Sequence, residues 1–247
     1  MDKLIYSSLS AMRAAMARQT MTANNLANVN TAGFRAEMSS STALWLKGDG
    51  LDARATNSGE VTSADMSEGT VSDTGRDLDV AVQGKDNLLA VQSREGDEAY
   101  TRRGDLQVSD SGLLTTGDGM PVLGDSGPIT LPPYDKLVIA GDGTISIIPQ
   151  GGDATQLQQV DRLKLVSTNG NTVEKGLDGL FRLRSGGTLG ADPQVSVRQG
   201  ALEGSNVNVS ATLIDMIEAS RDWDMQVKMM SSAQDIDKAS TDLMRFD

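Results

Sequence analysis

The two ends of this 247-residue chain carry apolar residues at seven-residue spacing, while the stretch between them reads as glycine-punctuated β structure. Near the N-terminus Ile5, Leu9, Met12, Met16, Ala23 and Leu26 fall at alternating gaps of four and three, with Gln19 in the one polar slot. Toward the C-terminus Val209, Leu213, Met216, Trp223, Val227 and Met230 repeat the pattern, with Ser220 and Gln234 as polar slots. Such a seam turns about two residues in seven toward a partner, which is what one helix offers another. The spacing therefore predicts two helices that gain their stability by burying this seam, since propensity alone contributes little. Two partners satisfy it: the chain's own other elements, or the helices of another subunit.

Charge separates the ends. Residues 1–36 hold Lys3, Arg13, Arg18 and Arg35 against Asp2, whereas residues 207–247 hold Asp215, Glu218, Asp222, Asp224, Asp235, Asp237, Asp242 and Asp247 against Arg221, Lys228, Lys238 and Arg245. A basic helix beside an acidic one suits an intrachain pair and equally a head-to-tail contact between subunits.

Composition removes several classes of function. The chain has no cysteine and no histidine, so disulfides, thiolate nucleophiles, Cys/His zinc sites and imidazole-based triads are excluded. A net charge of −12 and a pI near 4.4 argue against nucleic acid as a partner, because that affinity needs clustered Lys and Arg against phosphate. No segment approaches the ~20 consecutive apolar residues of a membrane span, so no membrane insertion is expected. The opening Met1-Asp2-Lys3-Leu4-Ile5-Tyr6 runs into serines, arginines and a glutamine, where a cleavable signal would carry an unbroken apolar run. That points to the cytoplasm or to a route of export without such a signal.

The first helix is expected from Asp2 to Asn28, stopped by Asn28-Val29-Asn30-Thr31-Ala32-Gly33, with the glycine free to turn. Residues 36–74, rich in Ser, Thr, Gly and Asp, read as an extended β-arm or linker with an apolar island at Leu44-Trp45-Leu46. From 75 to 206 short runs such as Leu88-Leu89-Ala90-Val91 and Thr144-Ile145-Ser146-Ile147 alternate with turn pairs at Ser111-Gly112, Asp118-Gly119, Asp142-Gly143, Asn169-Gly170 and Asp178-Gly179. Those pairs accept the positive φ of tight hairpins. Eight aromatic residues (two Trp, three Tyr, three Phe) serve the whole chain, so the core is expected as thin layers of Val, Leu and Ile in a β-roll or small barrel-like domain. The fold class is α+β: helices at 1–35 and 207–247 pair around the arm and a central, mostly antiparallel β domain.

Three clusters admit sharper chemistry. Asn24, Asn25 and Asn28 compete with helical backbone bonds; they either cap a fraying helix end or bond a neighbouring subunit to fix axial register. Trp223, Met225, Met229 and Met230 read as seam packing, with methionine flexible enough to accommodate unequal neighbours. Asp77 and Asp79, two apart on a strand, would share a face as an acid/base pair of a glycoside-processing enzyme, although strand-rim carboxylates are more often simply solvated. The triplets Gly48-Asp49-Gly50, Gly117-Asp118-Gly119 and Gly141-Asp142-Gly143 lack tandem calcium-repeat spacing and fit isolated turns.

The segment Thr22-Ala23-Asn24-Asn25-Leu26-Ala27-Asn28-Val29-Asn30-Thr31-Ala32-Gly33-Phe34-Arg35 resembles the N-terminal signature of bacterial flagellar rod and hook proteins, in which the Asn-rich run ends the first helix before a Thr-x-Gly-aromatic turn. The resemblance returns at Asp77-Leu78-Asp79-Val80-Ala81-Val82, at Tyr100-Thr101-Arg102-Arg103-Gly104-Asp105-Leu106, at Gly200-Ala201-Leu202-Glu203-Gly204-Ser205-Asn206-Val207 and along the C-terminal helix. Length, the Leu-Glu-Gly-Ser-Asn-Val block and Gly179-Leu180-Phe181-Arg182-Leu183 look most like the proximal-rod branch of the family. Ala32 stands where the family usually has Pro, and Asn87-Leu88-Leu89 replaces a common Gly-Phe-Phe. The resemblance implies a rod subunit without cofactor, assembling with copies of itself and with proximal and distal rod subunits. It also implies export by the flagellar type III apparatus, without a cleaved signal, into a rod crossing the periplasm. On this reading Ile5, Leu9, Met12, Met16, Asn24, Asn25, Leu26, Asn28, Leu213, Met216, Trp223, Val227 and Met230 are the subunit-interface residues, with the termini ordering on assembly. The alternatives are a distal rod or hook-family subunit and, outside the family, an oligomeric fibre or adhesin, or the enzyme considered above.

Overall fold

The computed structural model describes residues 2–45, 55–151 and 156–244, with side-chain surroundings described for 7–38, 63–151 and 156–242. Long helices stand at the two ends, α1 at Asp2–Ala27 and α2 at Val209–Met244, and every strand pairing described between them is antiparallel. The α+β architecture expected from the sequence is thus observed. The chain forms two compact units: residues 1–27, 37–63 and 208–247 make one, and residues 28–36 and 64–207 the other.

In the first unit α1 packs against α2, and α1 also meets the first strand of a two-stranded arm, β1 (Glu37–Trp45) with β2 (Ala55–Ala64). Helix α2 begins at an asparagine cap: Asn208 Oδ1 accepts the Ala211 N–H at 3.1 Å, satisfying one of the donors that a helix start leaves open. The expected packing of the Leu44-Trp45-Leu46 island lies outside the described side chains.

The second unit is built on a five-stranded sheet, in the order 165–167, 87–92, 98–101, 181–183, 173–175. Strand Asn87–Gln92 is buried on both faces. Leu89 and Val91 belong to a large cluster with Val80, Leu106, Ile145 and Leu163, whereas Leu88 and Ala90 belong to a second with Tyr100, Val166 and Phe181. Alternate side chains point to opposite faces of a strand, so this one strand separates an aliphatic layer from one that also holds the aromatic rings of Tyr100 and Phe181. A three-stranded sheet (134–139, 144–149, 158–162) and four two-stranded ladders complete the described part of the unit. Isolated bridges join the large sheet to flanking chain, Val91 with Val122 and Val166 with Ala191.

Two local expectations are refined. At Asn169-Gly170 both residues take positive φ, 43° and 83°, and the Asn171 N–H closes the turn on the Thr168 carbonyl at 2.7 Å, yet the flanking strands 165–167 and 173–175 lie on opposite edges of the five-stranded sheet, so this turn does not make the expected hairpin. Gly33 also has positive φ, 66°, yet it lies six residues beyond the last residue of α1 and does not stop the helix. Its position is set by contact, since a Cβ there would stand 2.4 Å from the carbonyl carbon of Arg102.

Candidate assembly surface

Helices α1 and α2 pack on each other, and their buried side chains, Asn25 apart, are small. In α1 they are Ser8, Ala15 and Thr22; in α2 they are Thr212, Ala219 and Ala233, with Gln226 Oε1 buried in the same series. Each set steps by seven residues. Thr22 and Thr212 return their hydroxyls to backbone carbonyls of their own helix, Arg18 at 2.8 Å and Asn208 at 2.8 Å, so the seam hides polar atoms without a cross-helix partner. Arg18 and Asp222 form an exposed ion pair at 3.6 Å, an intrachain use of the opposite charges on the two helices that adds about 0–1 kcal/mol.

The large apolar seam read from the sequence sits to one side of that contact. At about 103° per residue in a seven-residue repeat, the row of Met12 and Leu26 is turned roughly 50° from Ser8, Ala15 and Thr22, and the row of Leu9, Met16 and Ala23 roughly 100°. In α2 the row of Met216, Trp223 and Met230 and the row of Leu213 and Val227 stand in the same relation, and the same rotational sense, to Thr212 and Ala219. Burial follows the rotation. Met12, Leu26, Met216, Trp223 and Met230 are half-buried, whereas Leu9 is 39% exposed, Met16 59%, Leu213 43% and Val227 44%. Ile5 has no described side chain. The intrachain partner therefore uses a row of small residues that hydrophobic periodicity does not mark, and the outer rows stay open. Ile214, Ile217, Met225, Met229 and Ile236 are exposed as well, so α2 carries apolar surface well beyond its contact with α1.

Asn24 and Asn25 meet the start of the arm, whereas Asn28 bonds within the turn that follows α1. Asn25 is buried; its Nδ2 donates to the Glu37 carbonyl at 3.0 Å and its Oδ1 accepts the Glu37 N–H at 2.8 Å. Asn24 Nδ2 donates to Glu37 Oε1 at 2.6 Å, and Asn28 Oδ1 accepts from Thr31 Oγ1 at 3.1 Å.

The acidic alternatives do not come together as catalytic sites. Asp77 is exposed while Asp79 is buried and accepts from Thr74 Oγ1 at 2.6 Å, so the two carboxylates do not share a face. Asp142 accepts the N–H and Oγ1 of Thr144 at 3.1 and 2.9 Å, which holds its carboxyl below the usual value and closes a turn. The Gly48-Asp49-Gly50 triplet lies outside the described residues. Among the described residues no acidic cluster is arranged to hold a metal ion, and no helix is long and apolar enough to cross a membrane.

Hydrophobic patterning missed one feature of the β-rich unit. Glu203, buried, accepts Arg35 Nη2 at 2.7 Å and the Gly69 N–H at 2.9 Å on Oε1, and Arg102 Nε and Nη2 at 2.8 and 2.6 Å on Oε2. Arg102 also donates to the carbonyls of Val82, Gly84 and Asn87. Burial pulls its guanidinium below its ordinary pKa, against the opposing pull of Glu203.

Family comparisons align with this layout in chain order. A family described as flagella basal body rod protein matches residues 5–35, the flagellar hook protein FlgE/F/G D1 domain matches 81–147, and the flagellar basal body rod FlgEFG protein C-terminal matches 198–243. Over nearly its full length the chain is 43% identical to the flagellar basal-body rod protein FlgF of Escherichia coli K12, across 241 residues and 95% of each chain. The chain belongs to the FlgF-like flagellar basal-body rod proteins. It is 40% identical to the FlgF of Salmonella typhimurium LT2 over 99% of both chains, and 29% identical to the FlgG of Bacillus subtilis 168 over 99% of this chain and 100% of that one. The resemblance carried by Thr22–Arg35 and the later blocks thus extends along the whole chain, and the exposed rows of α1 and α2 lie within two of the matched regions. As a FlgF-like rod protein the chain is a structural subunit of the flagellar basal body.

Proposed function

We propose that this rod subunit polymerises through the outer apolar rows of α1 and α2, packing against copies of itself and against other rod subunits, and that the assembled proximal rod carries torque across the periplasm. The observation that carries the reading is the exposure of Leu9, Met16, Leu213 and Val227 in a chain whose two helices already meet through Ser8, Ala15, Thr22, Thr212 and Ala219. Contiguous exposed apolar surface marks an interaction site, and contacts between unlike faces of identical subunits propagate rather than close. Ile5, Met12, Leu26, Met216, Trp223 and Met230 flank those anchors and complete the interface, while Asn24, Asn25 and Asn28 set its lower end by fixing the exit of α1. The subunit travels through the flagellar type III apparatus without a cleaved signal, performs no catalysis, and needs neither nucleic acid nor membrane insertion. Identities of 43% and 40% to two FlgF proteins, over 95% and 99% of the chain, support a proximal place.

The test is complementation of a deletion of this protein, made in an otherwise motile strain, with Leu213→Asp and Val227→Asp variants, scored by swimming, by export of the variant and by its recovery in purified basal bodies. Exported variants absent from the basal body support the interface. Normal incorporation and swimming overturn it.

A further inference from the structure

Glu203 joins three stretches of chain that are far apart in sequence. Arg35 lies 168 residues before it and closes the segment that follows α1; Arg102 lies 101 residues before it and is fastened to the carbonyls of Val82, Gly84 and Asn87. Around this buried charge the segments 28–36 and 201–207 are stitched to each other and to the β-rich unit. The Gly33 N–H donates to the Glu203 carbonyl at 2.7 Å and the Asn206 N–H to the Phe34 carbonyl at 3.3 Å. Asn206 Oδ1 accepts the Ala36 N–H at 2.7 Å, and its Nδ2 donates to the carbonyls of Asp65 and Ser67 at 2.8 and 3.0 Å. Lys175 Nζ sits 3.6 Å over the Phe34 ring and donates to the Arg35 carbonyl at 3.0 Å.

We propose that Arg35, Glu203 and Arg102 form a charge clamp that keeps both segments leading to the terminal helices folded on the β-rich unit before assembly. This consequence rests on the polymerisation proposed above: ordering on assembly is then confined to the helices and the arm.

The charge balance argues for directional tethering over bulk stability. Two guanidinium groups meet one carboxylate, and Arg35 Nε and Nη1 are buried without a hydrogen-bond partner among the described residues. A buried ion cluster with surplus charge and unmet donors contributes little net stability, and removing one member is costly where it leaves a buried charge unpaired; without Arg35, Glu203 still has Arg102 on Oε2 and the Gly69 N–H on Oε1. What an apolar side chain does not reproduce is the bond from Arg35 to Glu203. Arg35 is therefore a positioning residue, and its removal leaves the Glu203–Arg102 pair neutral and fully bonded.

Peptide-resolved hydrogen exchange on the full-length monomer, with its melting temperature, tests the clamp. Arg35→Met is expected to melt within a few degrees of the unaltered chain, while amides of 33–37 exchange about tenfold faster and those of 88–91 stay unchanged. Arg35→Lys, which keeps the charge, recovers part of the protection. Glu203→Gln frees 28–36 and 204–207 together; if that variant does not fold, Arg35→Met alone decides. Unchanged exchange at 33–37 in Arg35→Met overturns the clamp, as does a uniform rise that includes 88–91, which would make Arg35 an ordinary core residue. Because the readout is on the monomer, its outcome is independent of whether the helices polymerise.

Discussion

Asn25 and Glu37 are joined as two paired β-strand residues would be: the buried amide gives its N–H to the Glu37 carbonyl and takes the Glu37 N–H in return, at 3.0 and 2.8 Å. A side chain here imitates a peptide group, and β1 starts from the last turn of α1 because of it. Asn25→Leu removes both bonds and leaves the Glu37 carbonyl and N–H without these partners. A loss of about 1–3 kcal/mol in local stability is expected, read as faster exchange at the Glu37 amide. Asn25→Asp keeps the acceptor and loses the donor, so it should protect that amide better than Asn25→Leu does. Equal protection in all three chains would show the pairing to be incidental.

The apolar content of the helices was legible in the sequence, but the line along which they meet was not. Period-seven spacing found α1 and α2, and Asn208 ahead of Val209 is a residue type suited to the cap it makes. Ser8, Ala15, Thr22 and Ala219, which form the intrachain contact, are too small to register in any hydrophobic pattern, so the eye goes to the larger residues beside them. The strands around Leu88 and Ile145 were equally readable, from β-branched runs between Gly-containing turns. Arg35, Arg102 and Glu203 were not, because a charge is normally solvated and nothing local signals a partner more than a hundred residues away. Gly33 was legible as a turn residue, whereas its neighbour Phe34 was marked only by the family signature, which does not say what each residue touches.

The small-residue row and the large-residue row should fail differently. Ala219 is 1% exposed, so Ala219→Leu overpacks the α1–α2 contact and is expected to cost about 1–3 kcal/mol, lowering monomer helicity by circular dichroism. Leu213→Asp acts on a residue that the intrachain contact leaves 43% exposed; the spectrum of the monomer should be unchanged while incorporation into basal bodies falls. If both variants lose helicity together, the two rows are one surface and the division drawn here is wrong.

Gly33 tests how tightly the segment after α1 is held. Alanine at φ 66° is strained by about 1–2 kcal/mol, and its Cβ would meet the Arg102 carbonyl carbon and oxygen at 2.4 Å and the Arg103 nitrogen at 2.6 Å. Backbone cannot yield as a flexible side chain can. Gly33→Ala should therefore cost at least about 2 kcal/mol, with each kcal/mol lowering the melting temperature of the β-rich unit by about 2–4 °C. A melting curve unmoved by the substitution would mean that the segment is not seated on Arg102 and Arg103.

Tyr100 gives the β-rich unit a dependence on alkaline pH. Its hydroxyl accepts the Leu189 N–H at 2.5 Å and donates to Glu98 Oε1 at 2.9 Å. Burial, opposed by the Leu189 bond and helped by Glu98, pushes the phenol from 10.0 up to about 12. The folded chain thus holds the proton more tightly than the unfolded chain does. Its contribution is complete below about pH 10 and falls as pH rises toward about 12, by roughly 2–3 kcal/mol in all. Tyr100→Phe leaves the Leu189 N–H without its acceptor, so it should be less stable at pH 7, by about 1–3 kcal/mol. It should also lose less stability than the parent between pH 10 and 12, because the titrating group is gone. Urea unfolding of both proteins at pH 7, 9, 10 and 11 measures this directly: converging stabilities at high pH are expected, and parallel curves would show that Tyr100 ionises equally easily in the folded and unfolded chain.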